Sequence, residues 1–213
     1  MGSESENFNI LVVEDNPSDF YLIEQMLLSS RINTKNIYSA DRLSEAKEIL
    51  QQHPIGLVLL DLSLPDSHGI STFLEIRPYA QKIPVIILTG LTDSEMAFEA
   101  LKQNAQDYLV KGEFDVNLLA KSVEYSIERK KVEEKTLASE EKYRQMFYKN
   151  PFPMWINEMD SLKILEVNDA AIQKYGYERN DFLQLTLTDI QQSLVTTLSN
   201  PTNLTPARLW RHR

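Results

Sequence analysis

Cysteine is absent from this chain, which removes disulfides, thiolate metal sites and a cysteine nucleophile together. Histidine is scarce. His53, His68 and His212 stand alone, none lies in a helical phosphodonor pattern, and each reads as a surface residue. The apolar runs fall far short of the ~20 residues that span a bilayer. Met1 to Glu6 is acidic and lacks an apolar core, so no signal peptide is visible. Positive charge is also thin, which argues against direct nucleic-acid binding, normally marked by a basic face. The expectation is a cytoplasmic protein without a membrane partner.

What is present is unevenly placed. The 213 residues are 42% hydrophobic and 25% charged, an ordinary globular composition long enough for one large or two modest domains. Residues 1–130 hold 20 Asp/Glu against 11 Lys/Arg, whereas residues 131–213 hold 11 of each. All the excess acid lies in the first part, which suits a pocket that holds a cation.

Four apolar runs in that first part end abruptly on residues able to do phosphate chemistry. ILVV leads to Glu14 and Asp15, LVLL to Asp61, VIIL to Thr89, and YLV to Lys111. Helical periodicity separates them: Phe20, Ile23 and Leu27 in one stretch, Leu43, Ala46, Ile49 and Leu50 in another. A helix is expected from about Ile70 and another near Ser94–Gln103, with a weaker strand at Asn36–Ser39. Thr92 and Glu95 have capping-box spacing, and Asn104 suits a left-handed helix end. Such alternation implies a parallel sheet with helices on both faces, and ligands collect beyond the carboxyl ends of its strands. Three carboxylates, a hydroxyl and an ammonium then converge on one pocket, the makings of a divalent-metal site with a carboxylate nucleophile.

No Gly or Pro occurs between Gly112 and Pro151, so one long helix is expected. A heptad seam can be drawn through Val116, Leu119, Val123, Ser126, Lys130, Glu133, Leu137, Glu140, Arg144 and Phe147. Its polar middle leaves a homodimeric coiled coil through 115–147 and a solvated linker helix equally open.

LVVEDNPSD, LVLLDLSLPDSHG, VIILTG and DYLVKGE together resemble the receiver domain of bacterial two-component response regulators, over roughly residues 7–130. The resemblance implies an α/β, flavodoxin-like, doubly wound five-stranded parallel sheet of order 2-1-3-4-5. It implies that Asp61 accepts a phosphoryl group from a sensor histidine kinase or phosphotransfer protein. Glu14, Asp15, Asp61 and the backbone carbonyl of Ser63 would hold Mg²⁺, a hard ion that takes oxygen ligands. Thr89 and Lys111 would bind the phosphoryl oxygens, and Thr89 with Tyr108 would form the switch; a buried strand tyrosine is the plainer reading of Tyr108. Gly90 removes a side chain where phosphate must approach the backbone. Gly112 stands where many receivers have proline.

FPMWINEMDSLKILEVNDAAIQKYGYERNDFLQLTLTDI resembles the first half of a PAS sensor domain, with Asn168 capping a short helix. Residues 191–207 read as a loop or disordered insertion, and LWRHR as the start of a further strand. The expected division is a receiver at 7–130, a linker or signalling helix at 131–150 and an incomplete, partial α+β PAS-like region at 151–213, a fragment of something longer. Two function classes follow: a phosphorelay module, or the input fragment of a larger enzyme such as a hybrid histidine kinase or cyclic-dinucleotide synthase. No kinase or other output enzyme is legible here. A phosphoaspartyl hydrolase is disfavoured because Asp61-Leu62-Ser63 lacks the second aspartate.

Overall fold

The computed structural model of the chain describes residues 7–90 and 94–191. Its first strand, β1 (Phe8–Val13), is covered on both faces: Ile10 and Val12 join one apolar cluster, Leu11 and Val13 the other. A strand this uniformly apolar must lie between two layers. Helix α1 (Pro17–Ser29) follows at once. Asn16 Oδ1 accepts from Ser18 N at 2.9 Å, and Pro17 takes a first-turn position where its missing N–H is not needed.

The same alternation repeats through β2 (Thr34–Ala40), α2 (Leu43–Gln52) and β3 (Ile55–Asp61). After Asp61 the chain makes a minimal hairpin, β4 (Ser63–Leu64) with β5 (Ser67–His68), before α3 (Ile70–Ile76). β6 (Val85–Thr89), α4 (Ser94–Lys102), β7 (Asp107–Val110) and the 33-residue α5 (Val116–Tyr148) complete the series. The main sheet is parallel in the order β2-β1-β3-β6-β7, which is 2-1-3-4-5 once the hairpin is passed over. Ile23 and Leu27 of α1 and Leu119 and Val123 of α5 cover one face. Ala46 of α2, Phe73 and Ile76 of α3 and Ala100 of α4 cover the other. This is the doubly wound, flavodoxin-like arrangement.

Backbone requirements account for the residues at two positions. Asn104 ends α4 at φ 72°, the left-handed conformation Asn tolerates best after Gly. Gly112 has φ 82°, which a proline locked near −65° could not adopt. The capping pair expected at Thr92 and Glu95 falls outside the described side chains.

The heptad seam requires correction. Leu119 and Val123 are fully buried and Ser126 is 3% exposed, because these positions pack α5 onto its own sheet. A second copy could reach them only by dismantling that core. The large apolar residues α5 leaves exposed in this part are Leu118, Tyr125 and Val132, on a different face.

The chain divides into two compact units at Lys135 and Thr136, inside α5. In the second unit β8 (Trp155–Asn157) pairs antiparallel with β9 (Ile164–Val167). Two short helices follow, α6 (Asp169–Tyr175) and α7 (Arg179–Phe182). Phe182 is the centre of the core here, met edge-on by the rings of Tyr175 and Tyr177. Asn168 caps α6 as expected, accepting from Ala171 N at 2.9 Å, and Gly176 closes it at φ 74°. The loop and strand expected beyond residue 191 lie outside the described residues.

Candidate functional site

Strand register decides which side chains can meet. Val13 lies opposite Leu60, Asp61 opposite Leu88 and Thr89 opposite Val110. Glu14, Asp61, Thr89 and Lys111 therefore emerge at one rim of the sheet. Two backbone bonds extend the ladder there: Glu14 N donates to Ala40 O at 2.9 Å and Lys111 N to Thr89 O at 2.8 Å.

Lys111 ties the rim together. Its Nζ lies 2.5 Å from Asp61 Oδ2, 2.6 Å from Glu14 Oε2 and 3.4 Å from Asp19 Oδ2. Burial alone would lower the ammonium's pKa, but hydrogen bonds to Asp61 and Glu14 outweigh it and hold the pKa well above the usual lysine range. Burial pushes the Glu14 carboxyl up, reinforced by the Asp61 charge and opposed by Lys111. Glu14 Oε1 accepts from Asn16 N at 3.2 Å, whereas the buried Oε2 relies on the Lys111 ammonium it shares with Asp61. Asp61 Oδ1 accepts from Ser63 N at 2.9 Å, which fixes Ser63 beside the acidic group.

Glu14, Asp15 and Asp61 each offer a carboxylate oxygen, and these lie within 4.8 Å of one another. Three hard oxygen donors with one shared ammonium among them fit a small divalent cation such as Mg²⁺. The remaining positions are placed less tightly. Thr89 is buried at the rim with its hydroxyl donating to Gly90 O at 3.3 Å. Tyr108 stands apart on β7, 36% exposed, its N–H donating to Asp107 Oδ1.

Two residues were not anticipated. Asp19 reaches Lys111 from the first turn of α1, a position where acids are ordinary for helix-dipole reasons. Asp66, in the loop after Asp61, accepts from Leu43 N at 2.8 Å and Ser44 N at 3.0 Å and so caps α2 from another part of the chain. Burial opposes ionisation of Asp66, but these backbone bonds prevail and lower its pKa. The same loop is closed at its base by Gly69 N donating to Leu62 O at 2.7 Å.

A model of the response regulator receiver domain family matches residues 10–124, and one of the PAS family matches residues 141–208. The transcriptional regulatory protein ZraR of Escherichia coli is 36% identical over 106 residues, 50% of this chain and 23% of ZraR. The response regulator protein PilR of Pseudomonas aeruginosa is 34% identical over 101 residues, 47% of this chain and 22% of PilR. The chain thus spans about a quarter of the length of these relatives. Among solved structures, a response regulator receiver domain protein from Clostridium thermocellum superposes with TM-score 0.52 at 28% identity, covering 59% of this chain and 98% of that one. The receiver domain of NtrX from Brucella abortus gives 0.51 at 26% identity, covering 56% and 98%. No helix among the described residues is long and apolar enough to cross a membrane. With its parallel sheet, its carboxylate-lined rim and a family match over more than half its length, the chain belongs to the response regulator receiver family, and a PAS domain follows the receiver.

Proposed function

We propose that the chain is a phosphorelay module in which Asp61 accepts a phosphoryl group from the phosphohistidine of a cytoplasmic sensor histidine kinase or phosphotransfer protein. The observation that carries this reading is the Lys111 ammonium 2.5 Å from Asp61 within a cluster of acidic groups. Glu14, Asp15, Asp61 and the Ser63 carbonyl are the groups that would hold Mg²⁺. A bound magnesium ion supplies positive charge that lets two anions meet.

In the transfer, a carboxylate oxygen of Asp61 forms a bond to phosphorus while the P–N bond to the donor imidazole breaks and its electron pair stays on nitrogen. Lys111 moves from the Asp61 oxygen to a phosphoryl oxygen, where preorganised charge is most effective. Thr89 turns its hydroxyl from Gly90 O to the phosphoryl group, and Tyr108, half-exposed on β7, follows into the space released.

The proposed division is a receiver at 7–130, a signalling helix at 131–150 and the PAS portion at 151–213, with α5 as the route of the signal. A homodimer through residues 115–147 would use the face of Leu118, Tyr125 and Val132, since the seam through Leu119 and Val123 is occupied. Incubation with Mg²⁺ and acetyl phosphate should add one phosphoryl group to the intact mass, absent in Asp61→Asn and after chelation. An unchanged wild-type mass would overturn the reading.

A further inference from the structure

We propose that Asp19 is a positioning residue of this chemistry, a solvent-side carboxylate that competes with the incoming phosphoryl group for Lys111 and disfavours donors of high negative charge. The proposal rests on the reading of Asp61 as acceptor. Asp19 lies in the first turn of α1, four residues after Asp15. The three carboxylates around the Lys111 ammonium differ in exposure: the Glu14 side chain is 0% exposed, Asp61 7% and Asp19 38%. Asp19 is therefore the solvent side of Lys111, as exposed Asp15 is of the acidic cluster, and a phosphodonor reaching Lys111 from solvent meets the Asp19 charge.

The contacts also differ in strength. Those to Asp61 and Glu14, at 2.5 and 2.6 Å, are close, charge-assisted ones, while 3.4 Å to Asp19 exceeds the usual N–H···O range. Asp19 thus holds Lys111 loosely, yet its full negative charge stays beside the ammonium. During transfer an Asp61 oxygen bonds to phosphorus, the bond from phosphorus to the leaving group breaks, and that group departs with the electron pair. Lys111 must then serve the phosphoryl oxygens and Asp19 at once. Two anions sharing one ammonium repel at a half-buried position, where water and salt screen incompletely. Because the Asp19 contact is weak, removing its charge costs Lys111 little and relieves the donor of a like charge.

The test is Asp19→Asn in the full chain with Mg²⁺ at low ionic strength. Phosphorylation is timed with acetyl phosphate, a dianion near neutrality, and with phosphoramidate, which carries one net negative charge. The acetyl phosphate rate should rise about three- to tenfold, the phosphoramidate rate should rise distinctly less, and added salt should shrink the difference. Asp19→Glu should restore wild-type discrimination. Equal changes for both donors, no change, a slower reaction, or insensitivity to salt would each overturn the proposal, since a purely structural role affects both donors alike. Failure of the wild-type chain with both donors would instead overturn Asp61 as acceptor, so the two readings fail separately.

Discussion

Glu14 in the first unit and Asn168 in the second are both buried polar side chains, 3% and 0% exposed, but their surroundings are opposite in kind. Asn168 Oδ1 accepts from Met154 N and Ala171 N, both at 2.9 Å. Its Nδ2 donates to Phe147 O at 3.0 Å, Phe152 O at 2.8 Å and, more distantly, Asn150 O at 3.4 Å. Every donor and acceptor of that amide is used. Glu14 sits beside two more acids, and its Oε2 must share the single Lys111 ammonium with Asp61. A saturated polar group serves the architecture; an acid that shares one ammonium with its acidic neighbours at the carboxyl rim of a sheet is left unsaturated.

The largest expected effect is on the saturated side. Asn168→Ala leaves two amides and at least two carbonyls without their partner, which should destabilise the second unit by about 3 kcal/mol. Trp155 belongs to that unit and residues 1–135 contain no tryptophan, so denaturant unfolding followed by tryptophan fluorescence reads it selectively. Phosphorylation at Asp61 should survive the change. An unshifted midpoint would erase the distinction.

The unsaturated side should respond with the opposite sign. Burial raises the Glu14 pKa, so the folded chain binds that proton more readily than the unfolded chain. The associated stability is full below the ordinary glutamate pKa and is lost as pH rises through the higher folded value. At neutral pH, Glu14→Gln should therefore stabilise the metal-free protein. Mg²⁺ affinity should fall about tenfold or more, as befits a lost ligand charge. Thermal melts with and without Mg²⁺ check both, and a destabilised metal-free variant would place Glu14 with Asn168 after all.

The smallest effect concerns Glu166, which accepts hydrogen bonds from the hydroxyls of Tyr148 and Tyr143, the latter at 2.7 Å. These bonds, with Tyr148 contributing most, hold the Glu166 carboxyl below its ordinary range, while Tyr143 is pushed up to about 12. The Glu166 contribution is thus present above the ordinary glutamate pKa and lost as pH falls through the lower folded value. Acid titration of tryptophan fluorescence should show this loosening of the second unit, and Glu166→Gln should flatten it. An unchanged acid profile in the variant would show that the tyrosine pair does not couple to the fold.

The rim of the sheet was legible because central parallel strands are unbroken apolar runs, against which Asp61 or Lys111 stands out as an ending. Alternation implied a parallel sheet with helices on both faces; the strand order came from the resemblance to receiver domains, and the register is visible only in the structure. Other features share their sequence signal with something commoner. An acid in a helix's first turn is expected for dipole reasons, so nothing marked Asp19 as a partner of Lys111. Asp66 caps a helix that precedes it by more than 20 residues, a tertiary contact that local turn chemistry does not encode. The spacing of Leu119, Val123 and Ser126 serves equally to pack α5 on its own sheet or on a second copy. Over a few turns, periods of 3.5 and 3.6 residues cannot be told apart.

The loop after Asp61 is closed at its base by Gly69 N donating to Leu62 O and tied at its middle by Asp66 to the amides of Leu43 and Ser44. Any shift of that loop must lengthen or realign the two hydrogen bonds that these amides donate to Asp66. The Leu43 and Ser44 resonances in an amide NMR spectrum are therefore natural remote gauges. They register movement of the loop from a place where no probe, label or substitution need touch the pocket.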